Sequence, residues 1–180
     1  MRKLMIFLVL FALAALVTSV YAANDGAERA SAVLRDANGQ EVGFARFTED
    51  ANGMVHVSVH VNGLAPGLHG IHVHAVGRCD LGLNPAFSTA SGHHNPLSQG
   101  HGLDNPNGAH AGDLPNLIVN VAGAGRLNAS TGRLTLSAGP TTAFDADGSA
   151  LIIHAGADDQ VTNPTGNSGG RAACGVIVGD

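Results

Sequence analysis

Apolar and polar residues alternate with a period of two along much of this chain. The stretch Val55-His56-Val57-Ser58-Val59-His60-Val61 is the cleanest case, with Val at every odd position and a polar residue at every even one. Such alternation turns one strand face to a core and the other to water. Residues 29–35 and 40–48 alternate more loosely, and the second run puts Val42, Phe44 and Arg46 on one face. The turn sequences Asp36-Ala37-Asn38-Gly39 and Asp50-Ala51-Asn52-Gly53 separate these runs, which therefore read as a three-stranded meander. Five more strands are predicted over residues 68–75, 116–121, within 125–136, 150–153 and 173–178.

Periodicity fails over residues 76–114 and 155–170, both rich in Gly, Asn, Pro and Ser. A loop of about 40 residues in a compact domain signals function or disorder. Eight short strands, Gly-rich turns and no amphipathic helix predict an all-β antiparallel sandwich or barrel with two long loops.

The N-terminus does not fit this pattern. Arg2 and Lys3 precede an apolar run from Leu4 to Val17, and Val20-Tyr21-Ala22 offers a small-x-small cleavage site. Residues 1–22 therefore read as a secretory signal peptide, leaving residues 23–180 as a single domain. The apolar run is short for a membrane span, so no stable membrane insertion is expected after cleavage. The expected location is periplasmic or extracellular. Removing two of the nine basic residues leaves seven Arg against fourteen acidic residues, a formal charge of −7. A surface of that sign argues against nucleic acid as a partner. In an exported chain the two cysteines, Cys79 and Cys174, permit one disulfide.

Ten histidines are a large excess for this length. His72 and His74 lie two apart on a predicted strand, so their rings share a face opposite Ile71 and Val73. Such a pair can hold one metal. His93, His101, His110 and Asp113 in the long loop supply the donor count of a closed tetrahedral zinc site, which would also order that loop. His154 ends the seventh predicted strand and matters if the fold brings it beside His72 and His74. His56 and His60 read as solvent-facing strand residues. Gly-x-Ser-x-Gly, a phosphate-binding Gly-Lys-Ser/Thr loop and His-Glu-x-x-His are all missing, and Asp145-Ala146-Asp147-Gly148 lacks the spacing of a calcium loop.

Two blocks carry a resemblance. Gly67-Leu68-His69-Gly70-Ile71-His72-Val73-His74 and Gly169-Gly170-Arg171-Ala172-Ala173-Cys174-Gly175-Val176-Ile177 are similar to the two signatures of the copper/zinc superoxide dismutases. Between them Gly92-His93-His94-Asn95-Pro96, His110-Ala111-Gly112-Asp113-Leu114 and His154-Ala155-Gly156-Ala157-Asp158-Asp159 follow in family order. The resemblance implies an eight-stranded, immunoglobulin-like Greek-key β-barrel that dismutates superoxide to dioxygen and hydrogen peroxide. It implies one copper, held by His72, His74, His93 and His154, and one zinc, held by His93, His101, His110 and Asp113. His93 would bridge the metals and act in catalysis. Asp158 would hydrogen-bond His72 and His101, Arg171 would guide the anion, and Cys79 and Cys174 would form the family disulfide. His69 has the opposite parity to the two strand histidines and reads as a structural brace. His94 stands where relatives usually carry an aromatic and is not expected to be a ligand.

The second loop carries neither Lys nor Glu, and residues 84–87 look like an insertion. Both features are similar to exported bacterial members. The oligomeric state stays open, a homodimer being compatible. The competing classes are a metal-storing sandwich, which loss of a copper ligand or of the Arg would favour, and an adhesion module, which leaves the loop histidines unexplained.

Overall fold

The computed structural model describes residues 28–180. The predicted leader lies outside the described residues. Among the described residues ten strands form: β1 Glu28–Asp36, β2 Glu41–Glu49, β3 Val55–Val61, β4 Gly67–His69, β5 Ile71–His74, β6 Leu117–Val119, β7 Gly125–Thr131, β8 Ala150–His154, β9 Arg171–Val176 and β10 Val178–Gly179. Their order, β4-β6-β7-β3-β2-β1-β9-β8-β5 with β10 on β1, is that of a nearly closed antiparallel barrel.

The first three strands pair as the alternation predicts. Val55, Val57, Val59 and Val61 point into the core beside Phe47, Leu34 and Ile153. Burying each such side chain contributes about 1.5–3 kcal/mol.

One predicted strand is two. Residues 68–75 break at Gly70: β4 pairs with β6, while β5 pairs with β8. A side chain at Gly70 would meet Ser168 Cβ at 2.8 Å and Asp158 Cβ at 3.1 Å, so the second loop packs directly on this break. The last predicted strand also divides, and its first part starts earlier, at Arg171. Register then sets Arg171 opposite His154.

β5 ends the strand order, and the long loop covers its free edge. Val73 N–H donates to Gly112 O (2.9 Å), His94 N–H to Val73 O (2.8 Å) and Ala75 N–H to Gly92 O (2.9 Å). Gly112 has to be glycine, because a Cβ there would stand 2.2 Å from Val73 O. Glu49 closes the far end of β2. Its buried carboxylate accepts the N–H groups of Leu136 (2.6 Å) and Ser137 (2.7 Å) and the Ser137 hydroxyl (2.8 Å). These bonds hold the segment carrying buried Leu134 and Leu136 against the core.

Cys79 and Cys174 form a disulfide with Cα atoms 5.7 Å apart and a sequence separation of 95. It ties the long loop to β9. Closing a loop of that length stabilises by about 4 to 5 kcal/mol on the chain-entropy account.

Candidate metal centre

β5 sends Ile71 and Val73 into the core, and His72 and His74 to the opposite face. That face is also buried, because the two long loops close over it. Bridges His74↔His93 and His72↔Asp113 bring loop residues alongside, and the ladder between β5 and β8 brings His154 near. One ligand atom from each of His72, His74, His93 and His154 lies within 4.8 Å of the others.

The tautomers follow from the hydrogen bonds. His72 Nε2 faces Asp158 Oδ2 at 2.7 Å, His74 Nδ1 faces Ser91 O at 2.9 Å, and His154 Nδ1 faces Gly169 O at 3.1 Å. A carbonyl or carboxylate accepts, so each of these nitrogens carries the proton. The other nitrogen of each ring is then a bare lone pair. Those atoms, His72 Nδ1, His74 Nε2 and His154 Nε2, together with His93 Nε2, are buried and have no hydrogen-bond partner. Four converging buried lone pairs are costly unless a cation accepts them. Burial drives His72 down to about 3, with His93 and His154 opposing its charge and Asp158 only partly compensating. Burial likewise pushes His74 well below its usual value and His154 to about 4. The rings are neutral, as metal ligands must be.

A second set lies on the other side of His93. Asp113 Oδ1 is 3.1 Å from His93 Nδ1, 3.1 Å from His101 Nδ1 and 3.4 Å from His110 Nδ1. His110 Nδ1 and His93 Nδ1 face each other at 3.3 Å. Asp113 Oδ2 accepts the Gly102 N–H (2.8 Å) and the His110 N–H (3.0 Å), which fixes Oδ1 toward the rings. Three nitrogens and one carboxylate oxygen fit tetrahedral zinc. The group of four whose donors all lie within 4.8 Å of one another on this side is His72, His93, His101 and Asp113, with His72 in the place expected for His110. His72 belongs with the first set, because its Nε2 is taken by Asp158 and its ring stacks on His93 with centroids 3.9 Å apart. Burial opposes a charge on His101, but its bonds to Asp113 and Asp158 win and raise it to about 9. A cation entering this set would displace that proton.

Asp158 connects the two sets, with Oδ1 3.0 Å from His101 Nε2 and Oδ2 on His72. Burial pushes this carboxylate up, but the bonds with His101 and His72 outweigh it and hold it well below the carboxylate range. Sequence reasoning missed what holds Asp158. Asn116 donates through Nδ2 to the Asp158 carbonyl and accepts the Asp158 N–H at Oδ1, both at 2.8 Å. No local pattern marks Asn116, since the contact spans 42 residues. His69 is buried and reaches His154 O (2.7 Å) and Ala65 O (2.8 Å), linking β4 to the end of β8. His94 is buried with Nε2 3.4 Å from Thr141 O, apart from both sets.

A cavity of about 430 Å³ opens on the first set, lined by His74, His93, His154, Gly170 and Arg171 among others. The Arg171 guanidinium donates to Phe87 O and Ser91 O. Ser91 O thus holds both Arg171 and His74. Of the second loop's two carboxylates, Asp158 is turned inward, and Asp159 accepts the N–H groups of Val161 (3.0 Å) and Thr162 (2.8 Å).

Comparison with known proteins agrees with this geometry. The family model described as copper/zinc superoxide dismutase matches residues 41–177. A copper/zinc superoxide dismutase of Deinococcus radiodurans is 40% identical over 164 residues, covering 86% of this chain and 87% of its own. A second of these enzymes in Aquifex aeolicus is 38% identical over 151 residues, covering 83% and 86%. The crystal structure of a superoxide dismutase-like protein from Bacillus subtilis superposes with a TM-score of 0.76 at 39% identity, covering 82% of this chain and 97% of that one. With the matched model spanning most of the chain and both donor sets assembled within it, the protein belongs to the copper/zinc superoxide dismutase family.

Proposed function

We propose that this chain dismutates superoxide, with copper in the first donor set and zinc in the second. The double engagement of His93 carries the reading: its Nδ1 belongs to the Asp113 cluster and its Nε2 to the four buried lone pairs. His72, His74, His93 and His154 would hold copper, and His93, His101, His110 and Asp113 would hold zinc. When bound, copper supplies a centre that accepts and returns one electron, and zinc a fixed positive charge that does not change oxidation state.

The chain's own groups supply the rest. Two superoxide ions and two protons give one dioxygen and one hydrogen peroxide. Arg171 holds a permanent positive charge on the cavity wall, pinned by two carbonyls, and draws the anion in. His93 Nε2 is the ring nitrogen placed to take up and return a proton at the cavity floor. Asp158 keeps the His72 and His101 rings in their required orientation. His69 braces the loop behind them. Residues 1–22 serve as an export signal and residues 23–180 fold as one domain, a reading that the disulfide supports.

Reconstitution tests this. Purified protein should bind one copper and one zinc per chain and dismutate superoxide. His93→Ala should lose the shared ligand and most activity while the barrel stays folded. Binding of a single metal, or both metals bound with no dismutation, would overturn the reading.

A further inference from the structure

The outward face of β1, β2, β3 and β7 is basic in a chain of net charge −5. Register aligns its side chains in three cross-strand rows of four, one of them Arg29, Thr48, His56 and Ser130. Arg46, Arg126 and His60 also lie in this grid, and none of its twelve positions is Asp or Glu. Two arginines elsewhere have acidic partners: Arg35 pairs with Glu41 at 3.4 Å and Arg78 with Asp80 at 2.6 Å. Among the described residues neither Arg46 nor Arg126 has a carboxylate at ion-pair distance. Arg46 instead lies 5.4 Å from the Phe44 ring centroid. Two of the acidic groups that border the grid have partners on it. Asp50 Oδ2 is 3.3 Å from His56 Nε2, and Asp180 Oδ1 accepts the Ser31 hydroxyl at 2.7 Å.

A shallow groove of about 450 Å³ crosses this face, lined by Arg46, His56, Ser58, Asn128 and Ser130. With strands about 4.8 Å apart and outward residues about 6.8 Å apart along each strand, Arg46 and Arg126, two strands and one row apart, stand on a diagonal of the grid roughly 12 Å from each other. Between them stand neutral donors: hydroxyl, amide and imidazole. We propose that this face binds a linear polyanion of tetrahedral oxyanion groups, phosphate or sulfate, laid along that diagonal. Guanidinium groups bind such oxyanions through paired N–H donors. Single-stranded nucleic acid fits less well, because it needs open aromatic platforms. The one exposed aromatic on the grid, Phe44, is already stacked on His60 at 5.1 Å.

The test is binding of fluorescent inorganic polyphosphate at about 20 and about 150 mM salt, with dextran sulfate as a second arm. Wild type should bind and weaken with salt. Arg46→Gln/Arg126→Gln should bind at least about tenfold more weakly, with a salt slope smaller by about two. Arg35→Gln, which removes a charge already paired off the grid, should stay within about twofold of wild type. The better-bound polymer distinguishes phosphate from sulfate. Neither Arg46 nor Arg126 lines the metal cavity, so dismutation by the double variant should match wild type and report correct folding. No binding to either polymer at low salt, equal binding by the double variant, or tighter binding to vesicles of anionic lipid than to either polymer would overturn the proposal.

Discussion

Gly166 lies directly against Asp158: a Cβ on Gly166 would stand 1.7 Å from Asp158 Oδ1 and 2.7 Å from His101 Nε2. The backbone there has φ +60, which glycine adopts at little cost. The carboxylate joining the two donor sets therefore depends on a missing side chain eight residues later in the loop. Gly166→Ala should push Asp158 off His101 and speed zinc release to a chelator by about tenfold or more, on the scale of a lost second-layer partner. Gly63→Ala is the control, with φ +79 and nothing within 4 Å of the added methyl. Its backbone cost is similar, and its zinc release should match wild type.

Among the described residues Arg171 is the only Arg or Lys lining the metal cavity. Arg171→Ala should leave both metals bound and lower kcat/KM by about tenfold or more, equivalent to about 1.4 kcal/mol. Arg171→Lys should recover part of the loss. Added salt should slow wild type more than the Ala variant, since exposed fields decay over about 8 Å at physiological ionic strength. Pulse radiolysis over a salt series reads both effects. Equal rates at low salt, with matched metal content, would place the guidance elsewhere.

Glu49 links acid stability to the barrel's far end. Burial pushes its pKa up, but the N–H and hydroxyl of Ser137 and the N–H of Leu136 outweigh that and hold it below 4.5. A depressed carboxylate contributes stability above its unfolded pKa and loses it as pH falls through the folded value. Glu49→Gln should cost about 1–3 kcal/mol at neutral pH, because it replaces a charged acceptor of three bonds. The gap between wild type and variant should narrow below pH 4.5. Urea unfolding of both proteins at neutral and acid pH measures this. A gap that widens on acidification would contradict the assignment.

Reducing Cys79–Cys174 should loosen the long loop before the barrel. The bridge ties β9 to the segment whose Phe87 and Ser91 carbonyls hold Arg171. Hydrogen exchange should rise first over residues 76–91, while β2 and β3 stay protected. Simultaneous loss of protection in both would show that the disulfide supports the whole fold.

Much of the architecture can be read along the chain. The Val-x-Val alternation of β3 needs no tertiary information, because period two and a buried face are the same statement. The candidate ligand residues are also visible, since their order around two long loops resembles a family pattern. The division at Gly70 is different. Residues 68–75 read as one strand along the chain, but 67–69 pair with β6 and 71–74 with β8, partners that only folding brings alongside. Asn116 is invisible for the same reason: its bonds with Asp158 join residues brought together by folding. The buried far face of β5 also escaped a reading by period, because irregular loops cover it rather than a second sheet.

The covering of β5 by the long loop has a consequence for self-association. β5 is the last strand of the sheet, and the N–H and carbonyl of Val73 are satisfied by Gly112 and His94. These two partners adjoin Asp113 and His93, the residues proposed to grip zinc. An ion in that set therefore also clamps shut a strand edge. If the clamp fails and the loop lifts, Val73 presents unpaired backbone groups on a short edge strand, which is the template that β-rich chains use to add further copies. Metal supply then governs how long such a protein stays dispersed at high concentration, separately from how fast it turns over substrate.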